Sequence, residues 1–144
     1  MTAFEDLYQE VILDHYRNPR NAASLDHLPQ ATVHENPTCG DSIRLEAVAD
    51  GEGRLVTVRF DAKGCAISTA SASIMTEHVI GKSVADAEEL ARGFIRAVRG
   101  EGSAEILDSA VELAAFRSVM KFPLRVKCAT LPWHALLVTL ARAS

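Results

Sequence analysis

The segment RLVTVRFDAKGCAISTASASIMTEHVI, residues 54–80, changes from the periodicity of a strand to that of a helix at one glycine–cysteine pair. Val56, Val58 and Phe60 alternate with polar residues, which predicts a strand over residues 54–61 with one buried and one wet face. The following residues, 66–80, are crowded with alanine and serine. We expect them to form a helix whose lack of bulk allows a close approach to the sheet.

Further strands and helices are predicted on both sides of this strand and helix. Two further strands are expected before it, and the turn at residues 50–53, Asp-Gly-Glu-Gly, predicts a hairpin into the third strand. Helical spacing and capping residues predict four more helices. The strands are placed at residues 31–35 and 42–49, and the helices at 3–17, 84–98, 103–118 and from 123 onward, the last interrupted at Pro132.

These elements predict one α+β domain over residues 1–144, with a three-stranded antiparallel sheet packed on one side by helices. The chain of 144 residues, 48% hydrophobic and 24% charged, has the size and composition of an ordinary globular domain. No apolar run reaches the length of a membrane helix, so no membrane association is expected. A net charge of −4 gives no basis for nucleic-acid binding. Three cysteines, an odd and low number, favour reduced thiols in the cytoplasm.

The candidate site consists of Cys39, Asp41, Cys65 and Cys128. Each cysteine stands where an element begins or ends, a setting that we interpret as suited to exposed, charged sulfur. Three thiolates and a carboxylate can complete a tetrahedral zinc site or most of an iron–sulfur cluster site. The spacing is weak evidence because no Cys-x-x-Cys is present. A lone cysteine is often a small buried hydrophobe, and Asp41 could cap a turn instead.

Basic residues flank two of these cysteines. Lys63 lies two residues before Cys65, and Arg125 and Lys127 precede Cys128. Four anionic ligands around one Zn²⁺ leave about two negative charges in excess. We expect the three basic side chains to offset that excess and to favour the thiolates.

Four segments resemble the signature blocks of the IscU/NifU N-terminal family of iron–sulfur cluster assembly proteins. The resemblance covers nearly the whole chain, and it implies the same fold, a three-stranded antiparallel sheet backed by helices. The segments are LYQEVILDHYRNPR (7–20), NPTCGD (36–41), GCAISTASAS (64–73) and FPLRVKCATL (122–131).

Two departures from the scaffold branch of this family resemble its SufU branch. Scaffold members carry a histidine immediately before the third cysteine, where this chain has Lys127, and they are shorter around residues 93–117. The SufU resemblance implies that Cys39, Asp41, Cys65 and Cys128 hold Zn²⁺. It also implies that Cys39 accepts persulfide sulfur from a SufS-type, pyridoxal-phosphate-dependent cysteine desulfurase.

The implied activity is that of a zinc-dependent sulfurtransferase that supplies downstream iron–sulfur scaffold proteins. In the SufU branch a histidine of the desulfurase is expected to replace Cys39 on the metal, and Gly40 would give the Cys39 loop the freedom to move. Two alternatives remain open at this stage. One is a non-enzymatic scaffold for a [2Fe–2S] cluster, and the other is a structural zinc protein that acts as a docking adaptor.

Overall fold

The computed structural model describes residues 3–25, 32–36 and 40–143, with side chains described for residues 8–25 and 40–141. Within these ranges the chain forms three strands and five α-helices, with 3₁₀ turns at Glu105–Asp108 and Ala115–Val119 on either side of α4. No helix in these ranges is long and apolar enough to cross a membrane. The elements are α1 (Ala3–Arg17), β1 (Thr32–Asn36), β2 (Asp41–Ala49), β3 (Leu55–Lys63), α2 (Ala66–Val79), α3 (Val84–Val98), α4 (Val111–Ala114) and α5 (Pro123–Ala143).

The three strands form one antiparallel sheet in the order β1-β2-β3. The predicted hairpin is confirmed, because Asp50 accepts backbone hydrogen bonds from Glu52 and Arg54 through its carboxylate and closes the turn. Ser42 pairs with Lys63 at the far end of this hairpin. The start of β2 and the end of β3 therefore lie side by side, which positions the candidate site.

One face of the sheet is covered by helices. On β2, Asp41, Ile43 and Leu45 are buried while the residues between them are less so, as expected for a strand with one covered face. Helix α5 packs against β1 and β2, and α2 packs against β3. The α+β prediction is therefore confirmed.

Aromatic packing fixes α5 against α3. The Trp133 ring stacks on Phe94 with centroids 4.3 Å apart, and Phe116 meets Phe94 edge-on at 5.2 Å. All three rings are fully buried. Aromatic pairs of this kind add about 0.5–1.5 kcal/mol each beyond the area they bury.

The prediction of one helix over residues 103–118 is wrong. The chain there forms two 3₁₀ turns and the single-turn helix α4, and it is extended at Ala110, with φ −156° and ψ 150°. Leu107, Leu113 and Phe116 are nonetheless all buried. Apolar spacing indicated the residues that face the core, but tertiary packing broke the backbone between them.

Two smaller expectations also need correction. Helix α5 begins at Pro123 and continues through Pro132 to Ala143, so Pro132 does not interrupt it. Val56 is 51% exposed rather than buried, whereas its neighbour Leu55 is buried. A register irregularity between Val48 and Ala49 on the facing strand accompanies this change in alternation.

Candidate metal centre

Asp41 is the first residue of β2, and its carboxylate points into the protein with only 2% of the residue exposed. The register that pairs Ser42 with Lys63 places Asp41 beside Gly64. A Cβ atom at Gly64 would overlap Asp41 Oδ1, so the absence of a side chain makes room for this carboxylate. Gly64 also has φ +149°, a backbone conformation that residues with a side chain rarely adopt.

Cys65 immediately precedes α2, at the N-cap position. Its backbone N–H donates to Asp41 Oδ1 at 2.9 Å, and its Sγ lies 3.5 Å from Asp41 Oδ2. The positive end of a helix attracts negative groups by about 0.3–1 kcal/mol. The start of α2 therefore holds a buried carboxylate against a cysteine sulfur.

Cys128 reaches the same point from α5. Ser71 Oγ donates to the Ala129 carbonyl at 2.6 Å and accepts from Trp133 Nε1 at 3.0 Å, and both bonds are buried. Because Ala129 follows Cys128 directly, this clamp between α2 and α5 sets the position of Cys128 relative to Cys65. The expectation that the cysteine sulfurs are exposed is wrong for Cys128, because only 5% of that residue is exposed. Cys65 is partly exposed.

Within the described ranges, ligand atoms of Asp41, Cys65 and Cys128 all lie within 4.8 Å of one another. In a tetrahedral zinc site a sulfur at about 2.3 Å and an oxygen at about 2.0 Å from the metal are about 3.5 Å apart. Cys65 Sγ and Asp41 Oδ2 have that separation. The donor set and its spacing therefore fit Zn²⁺ with one position left for a further ligand.

The fourth predicted ligand, Cys39, lies outside the described residues. Gly40 follows it with φ +72°, and its chain neighbours aside, no atom of the described residues lies within 4 Å of the place where a Cβ would stand. Gly40 is exposed and lies between residue 39 and Asp41, so a single residue separates residue 39 from a ligand of the cluster. Its metal binding stays a prediction.

The three basic side chains expected to offset the negative charge are all exposed. Lys63 ends β3 two residues before Cys65, and Lys127 adjoins Cys128 on α5. The Arg125 guanidinium lies 4.6 Å from the centre of the Phe122 ring, a cation–π contact. All three lie close in sequence to the cluster, and their charge-offsetting role stays a prediction.

Sequence reasoning missed three residues that contact the cluster or its neighbours. Gly64 lies against the Asp41 carboxylate, Ser68 Oγ donates to Asp41 Oδ2 at 3.1 Å, and Ser71 bonds to the carbonyl of Ala129 next to Cys128. The sequence pattern assigns the serines to close packing of α2 on the sheet, and in the structure α2 packs against α1 and α5 as well as β3. A signal for Ser68 was present, because a serine three residues after an N-cap lies on the first turn, next to the capping group. No sequence pattern indicated the contact of Gly64 with Asp41.

Comparison with known proteins agrees with the resemblance described above. The family model for the NifU-like N-terminal domain matches residues 7–129. The chain belongs to this family.

Two curated relatives are each 41% identical to this member of the NifU-like N-terminal domain family, and they carry different functional names. One is the zinc-dependent sulfurtransferase SufU of Bacillus subtilis, with 92% of this chain and 88% of the relative covered. The other is the iron–sulfur cluster assembly scaffold protein IscU of Streptococcus pyogenes serotype M1, with 100% and 89% covered. Identity alone therefore does not separate the two functions.

A solved structure gives the same fold. A candidate iron–sulfur cluster assembly scaffold protein for the SUF system from Fervidobacterium islandicum AW-1 superposes with a TM-score of 0.77 at 30% identity. The alignment covers 94% of this chain and 98% of that one. The arrangement of sheet and helices is thus shared with that protein.

Proposed function

We propose that this protein is a zinc-dependent sulfurtransferase that accepts persulfide sulfur from a SufS-type cysteine desulfurase and supplies iron–sulfur cluster assembly in the cytoplasm. The observation that carries the proposal is the convergence of Asp41, Cys65 and Cys128, with ligand atoms within 4.8 Å of one another. The relative named SufU supports the assignment of zinc and of sulfur transfer. Zinc bound by these residues would keep its thiol ligands deprotonated and protected from oxidation.

Cys39 is the proposed sulfur acceptor. Its thiolate attacks the outer sulfur of the persulfide on the desulfurase cysteine, and a new sulfur–sulfur bond forms as the old one breaks. The electron pair of the broken bond leaves with the desulfurase thiolate, so no oxidant or reductant is consumed. Gly40 is exposed and has φ +72°, a conformation that suits glycine, and it is the proposed hinge for Cys39.

Asp41, Cys65 and Cys128 have a different role from Cys39 in this proposal. Asp41 and Cys128 are buried in the protein, and Asp41 is held by the Cys65 N–H. Such groups are suited to retaining a metal ion while a fourth residue, Cys39, reacts. The N-terminal turn of α2 then serves as the fixed half of the site.

The proposed docking surface for the desulfurase lies beside Cys128. Phe122 and Leu124, at the start of α5, are 46% and 59% exposed, and Arg125 covers the Phe122 ring. Exposed aromatic and aliphatic groups next to arginine are typical of protein interfaces. The donor cysteine has to come within bonding distance of the site, so a partner of this kind must contact its rim.

The deciding experiment compares zinc-loaded wild-type protein with Cys39→Ser in the presence of a SufS-type desulfurase, pyridoxal phosphate and cysteine. We expect the wild type to gain one sulfur atom at Cys39, detected by mass spectrometry, and to accelerate cysteine turnover. Cys39→Ser should keep its fold and its desulfurase binding and lose sulfur uptake. Undiminished uptake in Cys39→Ser would refute the assignment.

The second candidate function is a scaffold that carries a [2Fe–2S] cluster as its cargo, and the Streptococcus pyogenes relative favours it. The same cysteines and carboxylate could hold such a cluster. Metal analysis of protein purified without reconstitution separates the two functions. The sulfurtransferase should be colourless with one zinc per chain, and the scaffold should be brown, with iron and acid-labile sulfide. Lys127, at the position where scaffold members have histidine, favours the first result.

A further inference from the structure

We propose that Ser68 is a positioning residue that holds the Asp41 carboxylate in the orientation required to bind zinc. Ser68 Oγ donates to Asp41 Oδ2 at 3.1 Å, and only 3% of the residue is exposed. This inference rests on the proposed zinc site and deepens it, because it names the residue on which the orientation of the oxygen ligand depends.

Two donors from the first turn of α2 fix the two carboxylate oxygens separately. The Cys65 N–H contacts Oδ1 at 2.9 Å, and the Ser68 hydroxyl contacts Oδ2. Oδ2 is the oxygen that lies 3.5 Å from Cys65 Sγ, so it is the oxygen directed toward that sulfur. With only Oδ1 held by the Cys65 N–H, combined changes of the Asp41 χ1 and χ2 torsions could still tilt Oδ2 away from the Cys65 sulfur.

Ser68 also has a second acceptor. Its Oγ lies 3.1 Å from the Cys65 carbonyl, the same distance as from Asp41 Oδ2. A hydroxyl has one proton to donate, so the two bonds alternate. Oδ2 has two lone pairs, so it can bind a metal ion with one and still accept the Ser68 proton on the other.

A merely structural role for Ser68 makes a different prediction. If Ser68 only bonds back to the Cys65 carbonyl to secure the first turn of α2, its removal lowers stability and leaves metal affinity unchanged. If it positions Asp41, its removal lowers zinc affinity. Residues that support metal ligands in this way typically contribute about 10–100-fold to affinity.

The test measures the zinc dissociation constant of the full-length protein by competition with a chromogenic chelator, for the wild type and for Ser68→Ala. We expect Ser68→Ala to bind zinc at least about 10-fold more weakly. The matched control is Ser73→Ala, on the same helix. Ser73 is fully buried and its Oγ bonds to His15 and to the Arg20 N–H; within the described part of the chain it bonds to none of Asp41, Cys65 and Cys128. Ser73→Ala should lower thermal stability and leave zinc affinity within about 3-fold of the wild type.

A double-mutant cycle shows whether Ser68 acts through Asp41. In an Asp41→Ala background, Ser68→Ala should cause no further loss of zinc affinity, because the carboxylate that it positions is gone. The visible absorption of the Co²⁺-substituted protein gives a second readout, and its ligand-field bands should change in Ser68→Ala and not in Ser73→Ala. Equal zinc affinity of Ser68→Ala and wild type, or an undiminished loss in the Asp41→Ala background, overturns the inference.

Failure of this inference is distinguishable from failure of the proposed function. Zinc binding that depends on Ser68, in a protein that accepts no sulfur at Cys39, overturns the sulfurtransferase assignment and leaves the role of Ser68 standing. Sulfur uptake at Cys39, in a protein whose zinc affinity does not depend on Ser68, overturns the role of Ser68 and leaves the sulfurtransferase assignment standing.

Discussion

The backbone N–H of Cys65 donates to Oδ1 of Asp41, joining the residue that precedes α2 to the first residue of β2 across 2.9 Å. The two residues are 24 positions apart in the chain, and the antiparallel pairing of β2 with β3 brings them together. This single bond orients one candidate ligand by the backbone of another. Substitutions around it should therefore separate metal binding from folding.

Asp41→Asn should preserve the fold and weaken zinc binding by at least about 10-fold. The amide oxygen can still accept from the Cys65 N–H, whereas a neutral amide is a poor replacement for a carboxylate on Zn²⁺. Chelator competition gives the affinity, and circular dichroism gives the thermal midpoint. Asp108→Asn is the control, since Asp108 forms an exposed ion pair with Arg117. A zinc affinity of Asp41→Asn equal to that of this control would argue against Asp41 as a ligand.

Gly64→Ala should lower both stability and zinc affinity. The positive φ of Gly64 strains any side chain, at a cost of about 1–3 kcal/mol, and the new Cβ would also displace the Asp41 carboxylate. Gly81→Ala is the control, because Gly81 has φ +93° with open space around the Cβ position. Urea unfolding should show a loss of stability in both variants, and chelator competition should show weaker zinc binding in Gly64→Ala alone. Equal zinc affinities of the two variants would contradict the close contact with Asp41.

Leu124→Glu should reduce stimulation of the desulfurase without loss of zinc. The leucine is 59% exposed at the start of α5, and a carboxylate there would lose its apolar contact with a partner. Turnover measured against protein concentration should show a weaker apparent affinity by about 5-fold or more, which corresponds to the loss of about 1 kcal/mol of binding free energy. Val111→Glu, at a valine that is 51% exposed on α4, is the matched control. Identical curves for the two variants would place the docking surface elsewhere.

Stability should fall with acid because of His15. Burial, followed by the charge of Arg20, lowers the pKa of His15 below its usual value of about 6.5. The unfolded chain then binds the proton more readily, so the stabilisation is complete above about pH 6.5 and is lost as pH falls toward the lowered pKa. The slope from one such group is at most about 1.4 kcal/mol per pH unit.

The measurement is the free energy of unfolding of metal-free, reduced protein in urea between pH 5 and 7.5. Glu77, Asp14 and Glu112 oppose the shift through their negative charge. The lowered pKa of Asp14, due to its hydrogen bonds from Arg20 and Asn18, and that of Asp50 act only below about pH 4. His15→Gln should therefore have a shallower slope than the wild type in this interval. Parallel slopes would show that His15 does not titrate differently on folding.

Local sequence was sufficient for most of the elements. Helix α1 and helix α3 have the predicted bounds, and Ser83 caps α3 through a bond from the Asp86 N–H as its sequence position indicated. Such signals depend on residues within one or two turns of each other. The prediction of one helix over residues 103–118 failed because the break at Ala110 depends on packing against distant elements and not on neighbouring residues.

The residue types of the candidate centre could be predicted from the sequence, because thiols and a carboxylate at the ends of elements favour a thiophilic metal. The convergence of these residues on one point could not be predicted. It depends on the register of β2 with β3, on the missing side chain at Gly64 and on the Ser71 clamp between α2 and α5. Local interactions act over a few residues and leave their mark in the sequence, whereas contacts between residues 24 or 58 positions apart exist only once the chain has folded.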